Sequence, residues 1–144
     1  MPVRIRIPDR RRMLALLAGA TAVFAGRRAV ALTPRRQSFV DQAFAMQRQA
    51  AAAGDQAYGA VVVRGEEIVG FGPSRVVTKG DWDAHAEREA IRDAQKKLGS
   101  PDLTGCVLYS TSRPCAACER TAAQARVARM YFGRDAADAG APKS

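Results

Sequence analysis

The sequence predicts an α/β fold in three layers, α/β/α, with helices on both faces of a single mixed sheet. Three observations predict it. Apolar residues recur at helical spacing over 34–52, through DAHAEREAIRDAQKKLG, and after Pro114. Between these segments stand β-branched or continuous apolar runs. The order helix, strand, strand, helix, strand, helix, strand then requires crossovers, which make the later strands parallel.

Each element has a local reason. Thr33-Pro34 supplies a cap and a first-turn proline; Phe39, Val40, Ala43, Phe44, Gln47, Ala50 and Ala51 follow at helical spacing until Gly54 stops the helix. AYGAVVVRGEEIVGFG reads as a hairpin, with strands at 59–63 and 67–72 around Arg64-Gly65-Glu66. A polar loop holding Ser74, Lys79, Gly80 and Trp82 leads to the clearest helix in the chain. Asp83 is placed to cap it, Ala86, Ala90, Ile91, Ala94 and Leu98 form its buried stripe, and Gly99 ends it. CVLYST, from Cys106, is apolar enough for a strand buried on both faces. Pro114 ends that strand and opens a helix from Cys115 to about Ala125. VARMYFG, 127–133, is the last strand expected, and the acidic, alanine-rich tail after it carries no pattern. An unpaired last strand on a small body leads us to expect a homodimer.

At 144 residues the chain is one domain at most, and 47% hydrophobic with 26% charged residues gives it material for a core. The net charge of +9 is unevenly placed: residues 1–31 hold seven arginines against Asp9, a local +6, which leaves +3 for the remainder. Without its first 31 residues the body has no strong patch for nucleic acid. The uncharged run 13–26 is too short to span a bilayer, so no stable membrane anchor is expected. Arg10 and Arg11 followed by Met13-Leu14, with Ala29-Val30-Ala31 further on, resemble a twin-arginine leader and its cleavage site. Residues 1–31 are therefore expected to send a 32–144 domain to the periplasm or outside; a cytoplasmic protein with a basic tail is the alternative.

The chemistry is concentrated in two short stretches. In RPCAAC, 113–118, two cysteines three apart at a helix start share a face beside the positive helix end, which suits a metal clamp or a redox pair equally. The only histidine, His85, opens the other well-defined helix, and Glu87 follows two residues later. Crossover topology brings both helix starts to the carboxyl end of the strands, where such folds build sites. His85, Cys115 and Cys118 then make three ligands with the fourth position left for water, as a catalytic zinc requires, and Glu87 would stand beside that water as a proton carrier. An exported C-x-x-C thiol redox protein stays open as a rival. Cys106, mid-strand, reads as a small buried apolar residue.

HAE followed by PCAAC resembles the H-x-E…P-C-x-x-C signature of the zinc-dependent cytidine deaminase-like superfamily. GAVVVRGEEIVGFG, AHAEREAIRDAQKKLGSPDLTGCVLYSTSRPCAACERTA and MYFG are similar to its nucleoside, guanine and tRNA-adenosine deaminase branch, over most of residues 38–135. The resemblance implies that His85, Cys115 and Cys118 hold Zn2+. It implies that Glu87 shuttles protons while zinc-activated water attacks the amidine carbon of a nucleobase or nucleoside and ammonia leaves. It also implies that Ala86 and the strand at Ala60 line the pocket.

Against the family pattern, Ser74 stands where a substrate-contacting asparagine is usual, and Arg113 stands where this branch favours glutamate. Relatives continue beyond the position of Ser144 with elements that close the pocket, so the fold is expected to be C-terminally short. DAADAGA resembles the acidic loop of guanine deaminases, with Asp135 matching their substrate-contacting aspartate. Trp82, three residues before His85, is expected either to stack on a base at the pocket mouth or to cover the core. A zinc-binding member that keeps the fold without catalysis is the alternative within this family.

Overall fold

The computed structural model describes residues 31–144; the leader expected over 1–31 lies almost wholly outside them. α1, Pro34–Ala52, begins as the sequence predicts, with the Thr33 side chain accepting a hydrogen bond from the Arg36 amide at 3.3 Å. β1, Gly59–Arg64, and β2, Glu67–Pro73, form the hairpin, whose tight turn uses Gly65 at φ +61°. α2, Val76–Lys79, is a single helical turn within the stretch expected to be a polar loop. α3, Ala86–Leu98, β3, Cys106–Ser110, α4, Ala116–Gln124, and β4, Arg129–Phe132, follow in the expected order.

The sheet runs β2-β1-β3-β4-β5, and only the β3–β4 pair is parallel. α1 covers one face, where Phe39, Val40 and Phe44 meet Val61, Val63 and Tyr109. The α3 stripe covers the other, packed with Ala60, Val62, Leu108 and Met130. Alternate residues of β1 thus serve opposite layers, which is what a strand between two helical layers must do.

Close approach of α3 to the sheet depends on two glycines. A Cβ at Gly72 would collide with the Ala86 carbonyl and the Ala90 amide; one at Gly70 would collide with the Ala90 carbonyl. Ala86, Ala90 and Ala94 complete the contact from the helix side, so backbone lies almost on backbone. This fixes the α3 N-terminus over the end of the sheet. Asp93 adds a tether from the helix to the edge strand, accepting the Phe71 amide at 2.8 Å.

Two expectations are corrected here. Asp83 does not cap α3: the cap position is His85, in extended conformation, and the Asp83 carboxylate instead pairs with Arg88. The tail also forms structure, because β5, Ala137–Gly140, pairs antiparallel with β4. β4 is therefore an interior strand, and the last strand, open on one side, is β5 at the edge of the sheet. Ala136 at φ +47° and Gly133 at φ +73° make the reversal that brings β5 back, and no run of β-formers announced it. Among the described residues, no helix is long and apolar enough to cross a membrane.

Candidate metal centre and its pocket

The two crossover helices start side by side. His85 sits at the cap of α3 and Cys115 at the cap of α4, both with extended backbone, so each side chain leaves its helix at the end where unpaired amides make the field positive. Cys118, one turn into α4, is fully buried. The three donor atoms lie within 4.8 Å of one another. His85 Nδ1 is 3.5 Å from Cys118 Sγ and 3.7 Å from Cys115 Sγ.

Those spacings fit zinc. A tetrahedral ion with its usual bond lengths holds nitrogen and sulfur ligands about 3.5 Å apart. One imidazole and two thiolates are also a donor set that zinc favours. Fit and protonation are linked, because in the metal-free chain Cys118 is held as a neutral thiol. Burial pushes its pKa up first, and the neighbouring Glu87 carboxylate and Cys115 add to the effect. The helix end alone does not keep this cysteine ionised. A cation must do that.

Glu87, in the first turn of α3, is 6% exposed. Its Oε2 accepts from Cys118 Sγ at 3.6 Å, so the carboxylate borders the ligand cluster without joining it. Burial raises its pKa above the ordinary value, against hydrogen bonds from its own amide and Cys118 and the pull of His85. A carboxyl so placed holds its proton more readily than an exposed one, which suits a general acid–base group.

A cleft of about 220 Å³ opens onto this cluster, lined by Gln56, Tyr58, Ser74, Ala86, Ser112 and Arg113 together with His85, Glu87 and Cys115. This is small beside pockets for drug-sized ligands, which begin near 300 Å³. Ser74 and Ala86 lie where they were expected. Ala60, Trp82 and Asp135 do not line the cleft. Ala60 is completely buried with its side chain in the α3-side core, Trp82 is 82% exposed and covers nothing, and Asp135 lies in the turn between β4 and β5. Gln56 and Tyr58 were missed, because a loop joining a helix to a hairpin carries no pattern that marks it as a wall. Arg113 is exposed at the rim, its guanidinium 5.6 Å from the centre of the Phe132 ring.

Comparison with known proteins agrees with this geometry. The chain is 40% identical over 101 residues to the tRNA(Ile)-lysidine synthase of Deinococcus deserti, covering 69% of this chain but 19% of that protein. It is 40% identical over 86 residues to the guanine deaminase of Bacillus subtilis, 58% of this chain and 55% of that one. A solved structure of guanine deaminase from Bacillus subtilis superimposes with a TM-score of 0.65 at 34% identity, over 67% of this chain and 62% of that one. To the tRNA-specific adenosine deaminase of Agrobacterium fabrum it is 33% identical over 109 residues, 76% of this chain and 72% of that one. The chain thus spans about a fifth of the synthase and about half of the guanine deaminase. Finally, the family model for the cytidine and deoxycytidylate deaminase zinc-binding region matches residues 33–134, a stretch that contains all three ligands, Glu87 and the whole lining of the cleft, and the chain belongs to that family.

Proposed function

We propose that this chain is a zinc-dependent hydrolytic deaminase of a nucleobase or nucleoside. The observation that carries the reading is the convergence of three zinc-compatible donors and a buried carboxylate on one small cleft at two helix N-termini. His85, Cys115 and Cys118 would hold the zinc, which would supply an activated water and offset the two thiolates. Glu87 would take up the proton released as water adds to the amidine carbon and deliver it to the ring nitrogen, then carry the proton of the added hydroxyl to the amino group, which departs as ammonia and leaves a carbonyl. Its burial supports this role by keeping the proton-bearing form accessible. The relatives named guanine deaminase and tRNA-specific adenosine deaminase support a purine-type amidine as the substrate.

Ammonia release from guanine, adenine, cytosine and their nucleosides tests the reading. Zinc-loaded chain should act on at least one of them, and Glu87→Gln should keep its zinc while losing roughly 100-fold or more in rate. Zinc bound at full occupancy with no ammonia from any compound would assign the chain to the non-catalytic alternative. Thiols that react freely in the zinc-loaded chain would favour the redox one.

The proposal extends to location and assembly. Arg10, Arg11 and the small residues before Leu32 support twin-arginine export, a route that suits a domain which must fold around zinc before its thiols meet an oxidising compartment. Full-length chain found only in the cytosol with its leader intact would refute export. The small body and the open edge at β5, the last strand, support a homodimer.

A further inference from the structure

Asp55, just past the end of α1, stands apart from the metal cluster and does not itself line the cleft, yet it joins two of its walls. Its Oδ1 accepts from the Gln56 amide at 2.8 Å and from the Ser74 hydroxyl at 2.9 Å. Its Oδ2 accepts from the Thr78 amide at 2.7 Å. Gln56 and Tyr58 form one wall and Ser74 the next, and the Ser74 amide donates to the Tyr58 carbonyl at 3.0 Å. One carboxylate therefore sets the position of both.

It also sets what Ser74 can offer. Partial burial works to raise the Asp55 pKa, but hydrogen bonds from Thr78, Gln56 and Ser74 outweigh it and bring the value down to about 2. The group is ionised throughout the working pH range and can only accept. A free serine hydroxyl is both donor and acceptor, but the proton of this one is committed to Asp55. Ser74 is 2% exposed, so little water competes for the lone pairs that remain.

We propose that Asp55 is a positioning residue that makes Ser74 an obligate hydrogen-bond acceptor, so that this wall selects substrates presenting an N–H or O–H donor to it. The inference rests on the cleft being a nucleobase or nucleoside site. It narrows that class: a ligand that places a carbonyl or an alkylated nitrogen against Ser74 meets a second acceptor and is rejected.

Calorimetric titration of the zinc-loaded full chain tests this with guanosine, adenosine and cytidine and with their 2′-deoxy and N-methyl counterparts, each lacking one donor. Wild-type chain should prefer the donor-bearing member of at least one pair by about five- to tenfold, the worth of one neutral hydrogen bond. Ser74→Ala should bring that ratio near one. Asp55→Asn, whose amide can donate to Ser74 and free its proton, should narrow the ratio as well, at unchanged zinc content. A merely structural Asp55 would weaken both members of a pair alike. Equal ratios in wild type, Ser74→Ala and Asp55→Asn overturn the proposal, as does a zinc-loaded chain that binds none of the compounds. A donor preference without ammonia release would sustain the proposal while refuting the deaminase reading.

Discussion

Cys118 shows how a single side chain links folding, metal and pH. Its thiol is buried, with a carboxylate and a second sulfur for company, and must lose a proton when zinc enters. Zinc titration by calorimetry in buffers of different ionisation enthalpy should therefore show release of about two protons per ion near neutral pH, one from each cysteine ligand, with affinity falling as pH falls. Cys118→Ser should lose most zinc affinity, since a hydroxyl does not supply the thiolate. The residues of this cluster were legible in sequence because their spacing along two helices is the chemistry. Asp55 was not, because its role exists only where two loops meet. Ala60 was misplaced for a third reason: strand alternation turns its side chain to the α3 layer.

At the scale of elements, α3 is held by contact underneath and by charge at its side. Underneath, Gly72→Val would force backbone apart from backbone and should lower unfolding free energy by about 1–3 kcal/mol, measurable by urea denaturation. At its side, buried Glu89 accepts from Lys79 and Arg92, each at 2.7 Å, which ties α2 to α3. Burial acts to raise the Glu89 pKa, but Lys79 and Arg92 overcome it and hold the carboxyl below its ordinary 4.5. A depressed acid adds stability above its unfolded pKa and loses it as pH falls through the folded one. Glu89→Gln should accordingly cost about 1 kcal/mol at pH 7, a modest value because both cations stay half exposed, and the cost should shrink below pH 4.5. The helices and the hairpin were readable from periodicity and turn residues. Helix α2, one turn long, and β5, with alanine and aspartate in place of β-formers, were not, since their partners rather than their composition make them.

For the whole molecule, the layered order was fixed by alternation along the chain, and the cleft's position followed from crossover topology. Its detailed lining did not follow, because the walls come from three connections remote in sequence, near 56–58, at 74 and at 112–113. The support of these walls differs from the support of the metal cluster. His85 and Glu87 ride on a helix seated through Gly70 and Gly72 on the hairpin, and the cysteines ride on its neighbour, whereas Gln56, Ser74 and Arg113 belong to loops. The metal cluster and the cleft walls are thus mechanically separable in this chain. On the proposed function, loop changes would exchange one substrate for another while the glycine-seated helix keeps the metal-binding groups in register, which would leave the domain free to diverge in what it accepts.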